Sequence, residues 1–237
     1  LVEEVQEANI DYFDNTDVTL SQHEDWKLEA ENFSCSAEFL IDATGGGNPL
    51  NIQQDISGVR TNSRVIYSHF EGVIPWGELH GKSQHPYPCH HAALHHVFSG
   101  GWMYVLHFDN GVTSAGFVLD CDARPHDTWE TLMDELPFVQ EQFQNAVPTM
   151  PFVQTRRMQR CAAQMVGKNW AMLPYSGAFL DPLHSAGNAH TLCGIERLMP
   201  MLTEPADKRA TLLREYQRVT LHEVDVLDKI IHGCYQC

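Results

Sequence analysis

The sequence predicts a mixed α/β chain of α+β character, with a large, mainly antiparallel sheet in its middle and helices toward its C-terminal end. Three observations predict it. Two strands, "LHHVFSGGWMYVLHFDN" and "GVTSAGFVLD", are expected to meet at Asp109-Asn110-Gly111, the residue types that tight hairpin turns require. The run "FLIDATGGG" is apolar and ends in three glycines, as a buried strand feeding a tight turn does. From Lys208 to about Ile231, Leu212, Leu213, Tyr216, Val219, Val224 and Leu227 form one helical stripe.

The remaining elements follow in order. Residues 1–8 read as the end of a helix. "VTLSQHEDW" and "KLEAENFSCSAEFLIDATG" read as strands forming a hairpin. "SRVIYSHFEGVIPW" is a long aromatic and β-branched strand, followed by a Pro- and His-rich loop. Asp127 is expected to cap the helix "TWETLMDEL", with a second helix in "FVQEQFQNAV". Beyond "VPTMP", the runs "RRMQRCAAQMVG" and "NWAMLP" are expected to pair as strands. A turn-rich stretch, "YSGAFLDPLHSAGNAHTLCGIERLM", then opens a helix over roughly 188 to 200. No internal repeat or low-complexity tract interrupts this order.

Composition narrows the function classes. The chain has 237 residues, 43% hydrophobic and 10% aromatic, as a globular protein does. Thirty-one acids against 15 bases give a net charge of −16. That disfavours nucleic acid, which needs a basic face, and anionic membrane surfaces. No run of about 18 apolar residues is present, and "LVEEVQEANI" is unlike a secretory signal. The seven cysteines are scattered in a way that suits a reducing cytoplasm better than a disulfide framework. The spacing Cys234-x-x-Cys237 lacks a βαβ setting and is expected to be free thiols at a frayed end.

The turn at 175–187 places small residues ahead of a helix start, where unpaired N–H groups and the positive dipole end favour a ligand. Two motifs suggest which one. "FLIDATGGG" resembles the D-A-T-G strand and turn of flavin-dependent monooxygenases, and "AFLDPLHSAGNAHTLCGIERL" resembles their G-F-x-D-P-x-x-S-x-G stretch, most closely in flavin-dependent halogenases and halogenase-like oxidoreductases. "GGWMYVLHF" stands where halogenases carry W-x-W-x-I-P, and "LDKIIHGCY" is similar to their closing helix.

This resemblance implies the para-hydroxybenzoate-hydroxylase type of fold. Residues 1–50 and 165–200 would be parts of an FAD-binding domain, 51–164 a substrate-binding sheet domain, and 201–237 a C-terminal helical segment. It implies FAD as cofactor, held by Ala43, Thr44 and Gly45 and by Asp181, Pro182, Leu183, Ser185, Ala186, Gly187 and Asn188. The turn would lie against the pyrimidine edge of the flavin, where a helix start can stabilise negative charge and small residues allow close approach. In halogenases the residues matching Ser185, Ala186 and Gly187 also bind halide. The implied activity is that of a halogenase-like monooxygenase, an oxidoreductase acting on an aromatic or other organic small molecule through a flavin hydroperoxide, with a flavin reductase as partner. His95, Trp102 and Tyr104 would line the substrate pocket.

The departures are as informative. The Gly-Asp pair that holds the ribityl chain in this group is replaced by Pro174 and Tyr175. In the hairpin motif Trp102 is kept, but Tyr104, Leu106 and His107 replace the second Trp, the Ile and the Pro. His184 stands where tryptophan halogenases carry a catalytic Glu; a proton-transfer role is the one it can take. The G-x-G-x-x-G and the catalytic Lys do not occur, so a second chain or missing segment is expected to supply the dinucleotide-binding unit, and the chain alone is expected to hold FAD weakly. His85, His90, His91, His95, His96 and His107, with Cys89, invite a zinc reading. No H-E-x-x-H occurs and a strand would separate His91 from His95, so no metal is expected. A G-x-S-x-G elbow is also missing, which disfavours a hydrolase. The rival function is a non-catalytic binding module that keeps the substrate-domain sheet.

Overall fold

The computed structural model describes residues 2–81 and 86–236; His85 and Cys237 of the motifs above lie outside them. From the N-terminus come α1 (Val2–Glu7), β1 (Thr19–Gln22), β2 (Trp26–Glu29), β3 (Ser34–Ala37) and β4 (Leu40–Asp42). Next are β5 (Ser63–Glu71), α2 (Trp76–Leu79), β6 (Leu94–Phe98), β7 (Gly101–His107) and β8 (Thr113–Asp120). Two short helices follow, α3 (Trp129–Glu135) and α4 (Pro137–Gln142), then β9 (Val147–Pro148), β10 (Val153–Gln154) and β11 (Arg160–Cys161). The chain ends with β12 (Trp170–Met172), α5 (Pro174–Gly177), β13 (Ala178–Phe179), α6 (Ala186–Leu202) and α7 (Ala206–Tyr235). The class is the expected mixture of antiparallel sheet and C-terminal helices. Contacts divide the chain into two compact units, 1–53, 163–177 and 190–219 against 54–162, 178–189 and 220–237.

In the first unit β1, β2 and β3 form an antiparallel meander. Trp26 is buried, and its indole N–H donates to the Asn169 carbonyl at 2.9 Å. The long strand expected over 27–45 is three short ones, because the chain turns at Ala30–Phe33. β4 pairs in parallel with β12, Ile41 opposite Ala171. Val166, Ala171, Leu198, Leu213 and Tyr216 form the core here. The Tyr216 hydroxyl, buried on α7, donates to the Met172 carbonyl at 2.8 Å.

The second unit is built on an antiparallel sheet in the order β10-β5-β8-β7-β6, with β9 also against β5. The hairpin at Asp109–Gly111 joins β7 to β8 as the sequence predicts, but the single strand expected over 94–110 is broken by a second hairpin at Ser99–Gly100, which joins β6 to β7. Strand alternation gives the sheet two apolar faces. Ile66, Phe70, Met103, Val105, Phe117 and Leu119 pack with Trp129, Leu132 and Val139 of α3 and α4. On the other face Val65, Trp102 and Val118 are buried with Tyr67, Tyr104, Leu183 and Tyr235. That second face carries the candidate site.

Gly116 on β8 is opposite both Tyr67 and Tyr104. A Cβ there would fall 2.6 Å from the Tyr67 Cβ and 2.7 Å from the Tyr104 hydroxyl. Gly116→Ala is therefore expected to destabilise the unit by about 1–3 kcal/mol, the usual cost of overpacking, read from the urea midpoint. An unchanged midpoint would show that the neighbouring strand shifts enough to admit the methyl group.

Two local expectations are corrected. Thr128, not Asp127, caps α3: its side chain accepts from the Thr131 N–H, and the Thr131 hydroxyl accepts from the Thr128 N–H. Asp127 instead pairs with Arg124 at 3.1 Å. The runs around 160 and 170 meet at one bridge, Val166 to Ala171, because each finds a longer partner elsewhere. β11 pairs with β13, and β12 takes the edge of β4. The two C-terminal helices also run longer than expected, α6 starting at Ala186 and α7 reaching Tyr235.

Candidate functional site

The turn that opens α6 is anchored at Asp181, which is 8% exposed. Its Oδ2 accepts from the Ser63 hydroxyl at 2.6 Å and from the Tyr235 hydroxyl at 2.9 Å; its Oδ1 accepts from the Leu183 N–H at 3.0 Å. The last bond is an Asx turn that fixes the chain around Pro182. Gln159 completes the support, donating to the Ser63 hydroxyl at 2.9 Å and to the Leu180 carbonyl at 2.6 Å. Burial raises the Asp181 carboxyl above its ordinary value, opposed by the bonds from Ser63, Tyr235 and Leu183. Burial, then the adjacent carboxylate, pushes the Tyr235 phenol far up as well, so Tyr235 stays a donor. The Trp102 indole N–H in turn donates to the Tyr235 oxygen at 3.0 Å.

The backbone then turns sharply. The Ser185 N–H donates to the Pro182 carbonyl at 2.9 Å, and Ser185 takes a left-handed φ of 52°, costing about 1 kcal/mol or more for a non-glycine. α6 starts at the next residue, with Gly187 and Asn188 exposed. The first-turn N–H groups of a helix have no intrahelical acceptor.

Beside this turn lies a cavity of about 390 Å³, lined by His95, Val97, Gly101, Trp102, Leu183, His184, Cys234 and Tyr235. The His95 and Trp102 rings are 4.7 Å apart at 51°. Burial lowers the His95 imidazole below its ordinary value, and His184 adds to the effect. His184 Nε2 is 3.7 Å from the Cys234 sulfur. His95, Trp102 and His184 thus share one cavity. Tyr104 stands on the same sheet face, 6.2 Å from Trp102 between ring centres, packed over Gly116 rather than in the lining.

Ala43, Thr44 and Gly45 belong to the first unit. Ala43 and Thr44 are exposed, directly after β4. Asp42 Oδ1 accepts from the Thr44 N–H at 2.9 Å and hydroxyl at 2.8 Å, while the Gly45 N–H donates to the Ser176 hydroxyl at 3.0 Å. Gly45 has φ of 69°, a conformation glycine adopts without strain. Pro174 and Tyr175 fall in α5, the first buried and the second exposed. Sequence reasoning missed Asp42, Ser63, Gln159, Ser176, Cys234 and Tyr235. Only the polar Asp181 inside the apolar "AFLDPL" hinted at a buried network.

The histidines disperse. His90 and His91 sit in a short turn, Cys89–His91. His95 and His96 point to opposite faces of β6, and His107 Nδ1 is 3.0 Å from the Thr113 hydroxyl. No group of three or more metal-ligating side chains occurs among the described residues. His96 packs 4.9 Å from Trp76 between ring centres, its Nε2 3.1 Å from the Gln142 amide nitrogen. Burial lowers its pKa to about 4, helped by His80 and His95. A histidine depressed on folding contributes stability above its ordinary value near 6.5, lost as pH falls toward about 4. His96→Leu is expected to flatten the fall of the urea midpoint in that window. An identical slope in both proteins would show that His96 is not held neutral.

Residues 3–237 match the sequence model described as tryptophan halogenase. Tetracycline 7-halogenase of Kitasatospora aureofaciens is 28% identical over an alignment of 249 positions, covering 94% of this chain and 43% of that protein. Monodechloroaminopyrrolnitrin halogenase PrnC of Pseudomonas fluorescens is 27% identical over 226 positions, covering 87% and 40%. The chain therefore spans less than half the length of these curated relatives. Among solved structures, halogenase PltM in complex with phloroglucinol and FAD is similar with a TM-score of 0.88 at 23% identity, over 99% of this chain and 51% of that one. The myxobacterial chondrochloren halogenase CndH, an FAD-dependent enzyme, follows at 0.72 and 17%, over 97% and 56%. Identities this low speak to the fold alone. The family match, which takes in nearly the whole sequence, shows that the chain belongs to the tryptophan halogenase family.

Proposed function

We propose that this chain forms the substrate cavity and part of the flavin site of an FAD-dependent, halogenase-like oxidoreductase acting on a small aromatic molecule. The observation that carries the reading is the tie between the Asp181–Asn188 turn and the cavity wall. Asp181, Tyr235 and Trp102 are joined in one hydrogen-bonded chain, so the turn assigned to flavin and the wall assigned to substrate are held by the same groups. A non-catalytic module is not favoured, since the relatives matched are halogenases.

The residues at the turn fit a flavin ring. Ser185, Gly187 and Asn188 are exposed, and the start of α6 presents donors and a positive dipole end to an anionic ring edge. Ala186 and Gly187 leave room for that edge. When bound, reduced FAD supplies the two-electron activation of oxygen. Trp102 and His95 orient an aromatic ring in the cavity. Leu183 and Val97 give that space apolar walls. His184 can accept or return a proton at the substrate. The substrate is a small molecule and a flavin reductase supplies electrons. The acidic chain is proposed to act without nucleic acid or membrane, in the cytoplasm; no helix among the described residues is long and apolar enough to cross a membrane.

The test is Gly187→Val in the protein at its full natural length. A branched side chain against the ring, at about 1–3 kcal/mol of overpacking, corresponds to FAD affinity weaker by roughly tenfold to a hundredfold. Gly187 is exposed, so the unfolding midpoint should move little. Normal FAD affinity by flavin fluorescence titration would place the ring elsewhere.

A further inference from the structure

We infer that Cys234 and His184 form a nucleophilic thiol site in the cavity wall, one that takes a neutral, aryl-bearing α,β-unsaturated carbonyl compound by covalent addition. The two side chains come from different elements, Cys234 from the last turn of α7 and His184 from the turn before α6. They meet with Sγ 3.7 Å from Nε2. Both line the same cavity of about 390 Å³, so an electrophile in that space faces a thiol and a base together.

Three features define the compound. Cys234 is exposed, so the sulfur is reachable. Among the described residues the lining holds no Lys, Arg, Asp or Glu, so a charged ligand would lose its hydration without gaining an ion pair there. Trp102 and His95, whose rings pack against each other at 4.7 Å, both line the cavity and give it an aromatic wall for a ring to lie against. A thiolate at the C-terminal end of a helix faces the negative end of its dipole; the reaction therefore needs a nearby proton acceptor, which His184 provides.

The chemistry is a simple addition. His184 Nε2 takes the Sγ proton as sulfur attacks the β-carbon, and the carbon–sulfur bond forms. The π pair of the carbon–carbon double bond moves to the carbonyl oxygen as an enolate, and the imidazolium returns the proton to give the saturated adduct. Nothing leaves, and no oxidant or reductant is consumed. The site stands independently of the flavin reading.

The experiment treats the protein with a substoichiometric amount of N-phenylmaleimide or N-ethylmaleimide and quantifies each cysteine by peptide mass spectrometry. Fragment spectra separate Cys234 from Cys237. Cys35 and Cys193, also exposed, are the internal references. Cys234 is expected to label on the order of tenfold faster than both, a low figure for general-base assistance, with a larger excess for the phenyl reagent than for the ethyl one. His184→Gln should bring Cys234 down to the reference rate and leave Cys35 and Cys193 unchanged. Labelling of Cys234 no faster than the references, or a fast rate unmoved by His184→Gln, would overturn the site. If that variant fails to fold, the phenyl-to-ethyl contrast in the native protein decides: an equal excess for the two reagents overturns the aryl preference.

Discussion

Replacing Phe117 with alanine is expected to lower the stability of the second unit by about 3–5 kcal/mol, the range for deleting a buried aromatic ring. Phe117 is fully buried on β8, hydrogen-bonded between β5 and β7, with Ile66 and Met103 as its cross-strand partners. Its ring meets Trp129 edge-on at 5.0 Å and Phe98 at 5.9 Å. Trp129 in turn packs on Phe70 and Phe143. The void cannot close by moving strands, because both neighbours of β8 are fixed along its length, and rigid rings fill it poorly. Cost rises with the cavity that remains. Chemical unfolding at constant m should show the loss as a shift in midpoint. A change below about 1 kcal/mol would mean that α3 and its aromatic partners collapse into the space.

The parts of the fold legible in the sequence were those written locally. Asp109-Asn110-Gly111 announces its hairpin because those residue types tolerate the turn, and the stripe on α7 repeats at helical spacing. Leu213, Tyr216 and Val224 of that stripe are indeed buried. What escaped was non-local. The parallel pairing of β4 with β12 joins segments far apart in the chain, and neither carries a mark naming the other. The error at the cap of α3 came from two adjacent candidates, Asp127 and Thr128. Thr128 won because Thr131 could reciprocate while Arg124 claimed the carboxylate.

The site shows the same division. The turn from Asp181 to Asn188 stood out through its crowding of Pro, Ser and Gly before a helix. The groups that hold it did not. Ser63 lies in a strand that reads as ordinary sheet, Gln159 in a charged run, and Tyr235 at the end of a helix where an aromatic residue reads as core packing. Only the fold shows Ser63 and Tyr235 sharing one carboxylate oxygen of Asp181. The histidine-rich loop misled in the opposite direction. Its residues are close in sequence, yet strand alternation sends His95 to the cavity and His96 toward Gln142.

At its full natural length, given bromide, a flavin reductase and free tryptophan, the protein is expected to form no bromotryptophan above background. Two independent features lead to this outcome. Free tryptophan carries an ammonium and a carboxylate, and entering a cavity strips water from both. Among the described residues the lining offers aromatic, aliphatic, thiol and imidazole groups but no Lys, Arg, Asp or Glu, so neither charge would find an ionic partner among them. In addition, His184 occupies the position that the resemblance gives to a catalytic glutamate in tryptophan halogenases. An imidazole can pass a proton, but it cannot hold the fixed negative charge of a carboxylate at pH 7. Loss of a fixed charge that stabilises the reacting centre costs about a hundredfold or more in rate, and the unpaired zwitterion adds to it. A neutral phenol of similar size avoids the first penalty and should be the better substrate in the same assay. Product mass spectrometry on both compounds decides. Efficient bromination of tryptophan would show that groups outside this cavity hold the amino acid, and would make tryptophan a substrate.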